Sequence, residues 1–173
     1  MEQEVILVDE NDREVGRAPK LAAHSNGGQL HRAFSIFVFN SKGETMLQRR
    51  AMTKYHTPGR WTNACCSHPM DKESPVDAAH RRLQEEMGFD CEMNEVFAFI
   101  YKADVEKGLT EHEYDHVIFG QFEGEPKLNA EEAMDWKWIS LNDLKKDIAS
   151  HPDNYTPWLK IVLDRVIAYK DGV

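Results

Sequence analysis

Cysteine is scarce in this chain, and its arrangement does not suit a disulfide framework. The 173 residues include three cysteines, Cys65, Cys66 and Cys91, an odd number that contains an adjacent pair. Disulfide-rich secreted domains use even numbers of spaced cysteines. We therefore expect a protein of the reducing cytoplasm, with all three thiols free.

Long hydrophobic runs and an excess of positive charge are also missing. No apolar stretch approaches the roughly 20 residues that a membrane-spanning helix needs, and the first residues lack the basic start and apolar run of a signal peptide. The net charge of −9 argues against nonspecific binding to nucleic acid or anionic membranes. An anionic ligand would need a metal ion or a local group of Lys and Arg side chains.

The apolar residues that are present suffice for one core. Hydrophobic residues make up 41% of the chain, so we expect a single domain over residues 1–173. Apolar side chains on both faces of 33–40 predict a central, doubly covered strand. Ser74 and Pro75 predict the start of a helix that Gly88 ends.

The remaining segments are a mixture of predicted strands and predicted helices, which indicates an α+β fold. We expect further strands over 4–8, 44–50, 61–66, 95–103, 114–122 and 136–139, and further helices from Pro19, from Ser140 and from Pro157.

Five residues have the chemistry of metal ligands: His24, His31, His68, Glu111 and Glu113. Glu111 and Glu113 are two positions apart at a predicted strand, so both carboxylates point to one side. Two such carboxylates repel each other unless a cation lies between them. This nitrogen and oxygen set suits Mn²⁺, Mg²⁺ or Zn²⁺. A solvated strand edge is the commoner reason for Glu-x-Glu, so spacing alone leaves both interpretations open.

The segment from Ser67 to Phe89 reads S-x5-E-x7-R-R-L-x-E-E-x-G-F. It is similar to the Nudix signature G-x5-E-x7-R-E-U-x-E-E-x-G-U, where U is aliphatic, and every spacing agrees. Ser67 replaces the first Gly, and Arg82 replaces the Glu after Arg. The signature places several carboxylates where divalent cations hold a diphosphate. Arg82 removes one metal ligand and adds positive charge beside the phosphates.

With this departure, the chain resembles the type 1 isopentenyl-diphosphate isomerase family over residues 5–168. The run W-T-N-x-x-C-x-H-P, from Trp61 to Pro69, is the most specific part of the resemblance. The resemblance implies a Nudix-like α/β/α sandwich with a mixed central sheet. It also implies a metal-dependent enzyme of isoprenoid biosynthesis that interconverts isopentenyl and dimethylallyl diphosphate. The reaction would add and remove protons through a carbocation-like intermediate.

The resemblance implies roles for individual residues as well. Cys66 and Glu113 match the paired acid–base residues, which we expect on opposite faces of the substrate, and either is a candidate for delivering the proton. Tyr101 matches a tyrosine that hydrogen-bonds the glutamate, and Trp158 a tryptophan near the developing cation.

The diphosphate would be held by cations and a second metal. The matching basic residues are Lys20, Arg50, Lys54 and Arg82. Glu86 and the backbone carbonyl of Cys66 would hold a second Mg²⁺ that arrives with the substrate, while the His/Glu set holds the first ion. The partner is then a small homoallylic or allylic diphosphate, bound by a monomer or small homo-oligomer.

Two other functions compete with the isomerase. A Nudix pyrophosphohydrolase would release phosphate, but Arg82 in place of Glu and Cys66 in its motif disfavour it. A non-enzymatic metal-binding domain would take up metal without turnover. It would have no need of an acid–base pair opposite an aromatic ring.

Overall fold

A computed structural model describes residues 3–172 of the chain. Within that range one mixed sheet is formed by β1 (Glu4–Val8), β2 (Glu14–Pro19), β3 (His31–Phe39), β4 (Thr45–Arg50), β5 (Trp61–Asn63), β6 (Cys65–Ser67), β7 (Met93–Asp104), β8 (Thr110–Gln121) and β9 (Ala133–Ile139). The helices are α1 (Lys20–His24), α2 (Pro75–Met87), α3 (Leu141–Ser150) and α4 (Pro157–Lys170), with single 3-10 turns at Glu106–Gly108 and Pro152–Asn154.

Strand β3 lies at the centre of the sheet, as its sequence predicts. It runs parallel to β8 and antiparallel to β1, β4 and β6. Phe34 and Ile36 pack into one core beneath α2, whereas Phe37 and Phe39 pack into a second core beneath α3 and α4. The two cores on opposite faces of one mixed sheet confirm the α+β sandwich.

Helix α2 begins and ends where local chemistry predicts. The Ser74 hydroxyl accepts a hydrogen bond from the backbone N–H of Asp77 at 3.1 Å, and Pro75 is the first helical residue. Gly88 ends the helix in the left-handed region at φ 71°. A Cβ at Gly88 would lie 2.3 Å from the Lys127 carbonyl oxygen, so the close approach of backbone also requires glycine.

Three segments differ from the sequence predictions. The strand expected over 61–66 is two short strands, because β5 pairs with β4 whereas β6 crosses to β3. Strand β8 begins at Thr110 rather than near 114, so Glu111 and Glu113 lie within it. Strand β2 was not predicted, because it is polar and half exposed at the sheet edge.

Across residues 3–172, no helix is both long enough and apolar enough to cross a bilayer.

Candidate active site

The five predicted metal ligands meet at one end of the sheet. Helix α1 carries His24, the first residue of β3 is His31, and β8 carries Glu111 and Glu113 on one face. His68 follows β6 directly. One ligand atom from each of the five lies within 4.8 Å of the others, and all five side chains are buried.

The hydrogen bonds of this cluster fit a bound cation. The Nδ1–H groups of His24 and His31 donate to backbone carbonyl oxygens at 2.6 and 2.8 Å. Their Nε2 lone pairs therefore face the carboxylates of Glu111 and Glu113, at 3.0 and 3.2 Å. Two acceptors placed at this distance repel each other unless a proton or a metal ion lies between them. Backbone acceptors at Nδ1 are also what commonly orients metal-binding histidines.

Cys66 and Cys65 face opposite sides of the sheet. Cys65 lies in the core under α2, where its Sγ is 3.3 Å from Glu86. Cys66 faces the other side, where its Sγ lies 3.1 Å from Asn63 Nδ2 and 3.5 Å from Ser35 Oγ. Burial raises the pKa of both thiols, so Cys66 is protonated in the resting protein.

Glu113 connects the His/Glu cluster to Tyr101. The two residues are cross-strand neighbours in β7 and β8, and the Tyr101 hydroxyl donates to Glu113 Oε1. The other oxygen, Oε2, lies 3.1 Å from His68 Nε2. Burial, followed by the nearby charge of Glu113, raises the pKa of Tyr101, so its phenol remains a donor.

The predicted basic residues line the same cavity as Cys66 and Glu113, the predicted acid–base pair. This cavity of about 150 Å³ is lined by Lys20, Arg50, Lys54, His56, Cys66, Arg82, Glu86, Tyr101, Glu111, Glu113, Glu132 and Trp158, among others. An adjoining cavity of about 450 Å³ shares Lys20, Arg50 and Lys54 and adds apolar Leu21 and Leu109. The structure therefore gathers every sequence-predicted site residue around one pocket and the His/Glu cluster beside it.

Several of these cations already have carboxylate partners. Arg82 contacts Glu86 at 2.7 Å and Glu132 at 3.4 Å, and Lys54 contacts Glu132 at 2.7 Å. Glu86 Oε1 accepts a further bond from Gln48 at 3.2 Å. The basic and acidic side chains that line the pocket therefore offset each other, although the chain as a whole is negatively charged.

Trp158 lies in the first turn of α4 and closes one side of the pocket. It is 5% exposed, and its indole N–H has no hydrogen-bond partner within residues 3–172. The Arg50 guanidinium lies 5.3 Å from the centre of the indole ring. The His56 ring lies nearly perpendicular to the same indole, at a centroid distance of 5.9 Å.

Sequence reasoning missed several polar residues around this pocket, namely Ser35, Gln48, His56, Asn63, Asp115 and Glu132. Two signals were available. Ser35 is the polar residue within the apolar run of β3, and Asp115 is two positions after Glu113, so it shares a face of β8. Glu132 has no local signal, because it reaches the pocket from a loop before β9.

Comparison with known proteins places the fold in one class. The sequence matches the NUDIX domain over residues 29–159. A solved structure from Deinococcus radiodurans superimposes with a TM-score of 0.79 at 18% identity, covering 94% of this chain and 98% of that one. A MutT NUDIX hydrolase from Burkholderia pseudomallei gives 0.63 at 21% identity, covering 80% and 98%. The chain is a Nudix-domain protein that carries a cluster of His and Glu side chains at one end of its sheet.

Closer relatives define the family within that class. Isopentenyl-diphosphate Delta-isomerase 2 of Aromatoleum aromaticum is 55% identical over 168 residues, which cover 97% of this chain and 88% of the relative. Isopentenyl-diphosphate Delta-isomerase 2 of Photorhabdus laumondii is 49% identical over 171 residues, covering 99% and 96%. This chain belongs to the isopentenyl-diphosphate Delta-isomerase family.

Proposed function

We propose that this protein is an isopentenyl-diphosphate Delta-isomerase that acts in isoprenoid biosynthesis, with residues 1–173 as one isomerase domain. It moves the double bond of isopentenyl diphosphate to give dimethylallyl diphosphate. The observation that carries this proposal is the single small pocket shared by Cys66, by Glu113 with Tyr101, and by four cations. Family membership at 55% identity supports the same assignment.

The reaction needs one proton donor and one proton acceptor. We assign these roles to Cys66 and Glu113, which line the same pocket from strands β6 and β8. One of the pair protonates the terminal carbon of the alkene, and the other removes a proton from the allylic carbon. The Tyr101 hydroxyl holds Glu113 in place through its hydrogen bond to Oε1. Such positioned proton transfers typically contribute about 10²–10⁴-fold to a rate.

The five His and Glu residues of the cluster hold one divalent cation, either Mn²⁺, Mg²⁺ or Zn²⁺. When bound, this ion supplies positive charge that tunes the acidity of Glu113. The histidine Nε2 atoms and carboxylate oxygens already face one another. This arrangement requires little rearrangement of the protein on metal binding.

The diphosphate is bound by Lys20, Arg50, Lys54 and Arg82. A Mg²⁺ that accompanies it is held by Glu86 and the backbone carbonyl of Cys66. Glu86 Oε1 accepts one hydrogen bond, from Gln48, and so retains an acceptor position. These residues fix the charged end of the substrate and direct its hydrocarbon end toward Cys66 and Glu113.

Trp158 stabilises the positive charge that develops on the hydrocarbon. Its buried ring lines the pocket and excludes water from it. A cation against an indole face in a dry site is stabilised by about 2 kcal/mol. That stabilisation exists only while the charge is present, so it accelerates the reaction rather than tightening ground-state binding.

Proton NMR in deuterated water tests the assignment. Purified protein is incubated with isopentenyl diphosphate and Mg²⁺, and phosphate is then assayed in the same sample. We expect dimethylallyl diphosphate carrying solvent deuterium, with no phosphate release. Phosphate or monophosphate products would show a Nudix hydrolase instead. An unchanged spectrum from metal-loaded protein would indicate a binding domain or a different substrate.

A further inference from the structure

Ser35 occupies an unusual position in the central strand. It is 3% exposed and sits directly across from Cys66 in the register of β3 and β6. The neighbouring residues Phe34 and Ile36 are both buried apolar side chains. A hydroxyl buried in such a strand requires hydrogen-bond partners, and Ser35 finds both of them at the active site.

The two partners of Ser35 are Cys66 and Asp115. The Ser35 hydroxyl donates to Asp115 Oδ2 at 2.8 Å, and the Cys66 thiol donates to Ser35 Oγ at 3.5 Å. A serine hydroxyl has one proton to give. Because that proton goes to Asp115, a lone pair of Ser35 faces the sulfur and can accept the thiol proton. A second acceptor, Asn63 Oδ1, lies 3.3 Å from the same sulfur.

Within the described part of the chain, the Asp115 carboxyl group has no hydrogen bond other than the one from Ser35. It is 1% exposed, and its second oxygen, Oδ1, has no partner among residues 3–172. A buried carboxyl group with one unpaired oxygen is destabilising for the fold. The carboxyl group accepts the hydrogen bond from Ser35 and so fixes the orientation of the serine hydroxyl, which is a function that can account for its burial.

We propose that Ser35 is a positioning residue for the isomerase reaction, holding the Cys66 thiol in its reactive orientation through the chain Cys66–Ser35–Asp115. The proposal rests on the function proposed above. Asn63 Nδ2 contacts the same sulfur at 3.1 Å. Asn63 Oδ1 already accepts from the Thr62 hydroxyl at 3.0 Å, so we assign the thiol proton to Ser35, with Asn63 holding the sulfur from the other side. Small errors in the placement of a reacting group reduce rates strongly.

Steady-state kinetics of Ser35→Ala is the first test. We expect kcat to fall by roughly tenfold or more, because the reacting group is misplaced. KM for isopentenyl diphosphate should change by less than about twofold, since Ser35 does not line the pocket with the cations. Ser35→Thr keeps the hydroxyl and should recover most of the rate. Thr45→Val is the matched control, because Thr45 is a buried strand residue whose hydroxyl donates to the Val38 backbone carbonyl, away from Cys66.

Infrared spectroscopy of the thiol gives a second readout that needs no turnover. The S–H stretching band of Cys66 is assigned from the difference spectrum with Cys66→Ala. In Ser35→Ala this band should move to higher wavenumber, as an S–H bond does on losing an acceptor, and Ser35→Thr should return it. If Ser35→Ala does not fold, Ser35→Cys supplies a weaker acceptor of similar shape.

The outcomes separate the two proposals. A shifted band together with a lower kcat supports the positioning role. A band that stays in place shows that the contact does not exist, and a shifted band with unchanged kcat shows that it does not serve the reaction. Either result overturns the inference about Ser35. Absence of isomerisation by the wild type removes the proposed function instead, while the infrared measurement still reports on the contact.

Discussion

Replacing Arg82 by Met tests whether the arginine that stands in place of the signature's Glu stabilises the fold. Arg82 Nη2 lies 2.7 Å from Glu86 Oε2, and the Glu86 side chain is 5% exposed. The substitution leaves that carboxylate buried without its cation. Removing one partner of a fully buried ion pair destabilises proteins by about 3–5 kcal/mol.

The size of the expected loss of stability follows from how exposed Arg82 and Glu86 are. The Arg82 side chain is 19% exposed, so water reaches part of the vacated site, and we expect the lower end of the range, about 3 kcal/mol. For a chain of this size, about 1 kcal/mol lowers the melting temperature by roughly 2–4 °C, which predicts a fall of roughly 6–12 °C. Arg17→Met is the matched control. Arg17 is 38% exposed and pairs with exposed Glu14 and Asp71, and such pairs contribute about 0–1 kcal/mol.

Urea unfolding followed by circular dichroism measures both variants. Adding Glu86→Gln to Arg82→Met should recover part of the lost stability, because a neutral amide is less destabilising when buried without a cation. A loss below about 1 kcal/mol in Arg82→Met would refute the reasoning. So would a double variant that is no more stable than the single one.

Four further predictions address the reaction and the pH dependence of the fold. Cys66→Ala should abolish turnover while the bound metal, measured by elemental analysis, stays at the wild-type level; near-normal activity would overturn the assignment. Glu113→Gln should weaken metal binding in a competition titration and lower activity together, whereas a fully active variant would remove its proposed role. Trp158→Leu should lower kcat by roughly 30-fold, the equivalent of about 2 kcal/mol, with a smaller effect on KM; a change confined to KM would contradict the cation–π role. The hydrogen bond from Arg81 lowers the pKa of the Glu73 carboxyl group below its ordinary 4.5. The stability that this bond contributes to the fold is therefore complete above pH 4.5 and is lost as the pH falls through the lowered folded-state pKa. The stability gap between wild type and Arg81→Gln, measured by thermal unfolding, should therefore narrow on acidification below pH 4.5, and a constant gap would contradict the linkage.

The sequence by itself determined the local elements and the chemistry of the site. The cap at Ser74, the proline after it and Gly88 specify helix α2 through interactions within a few residues. The apolar pattern of 33–40 marks the central strand, because a strand covered on both faces must be apolar on both. Donor types and period-two spacing made five His and Glu residues candidates for metal ligands, and the W-T-N-x-x-C-x-H-P run indicated the family.

Only the tertiary structure decided how these elements meet. The segment 61–66 splits because its halves pair with different strands, β4 and β3, and strand pairing depends on sheet order rather than on local pattern. Ser35 contacts Asp115 across 80 positions, and Arg82 contacts Glu132, which lies in the loop before β9. No local periodicity encodes such pairs, because they depend on the register of β3 against β8 and on where a loop packs.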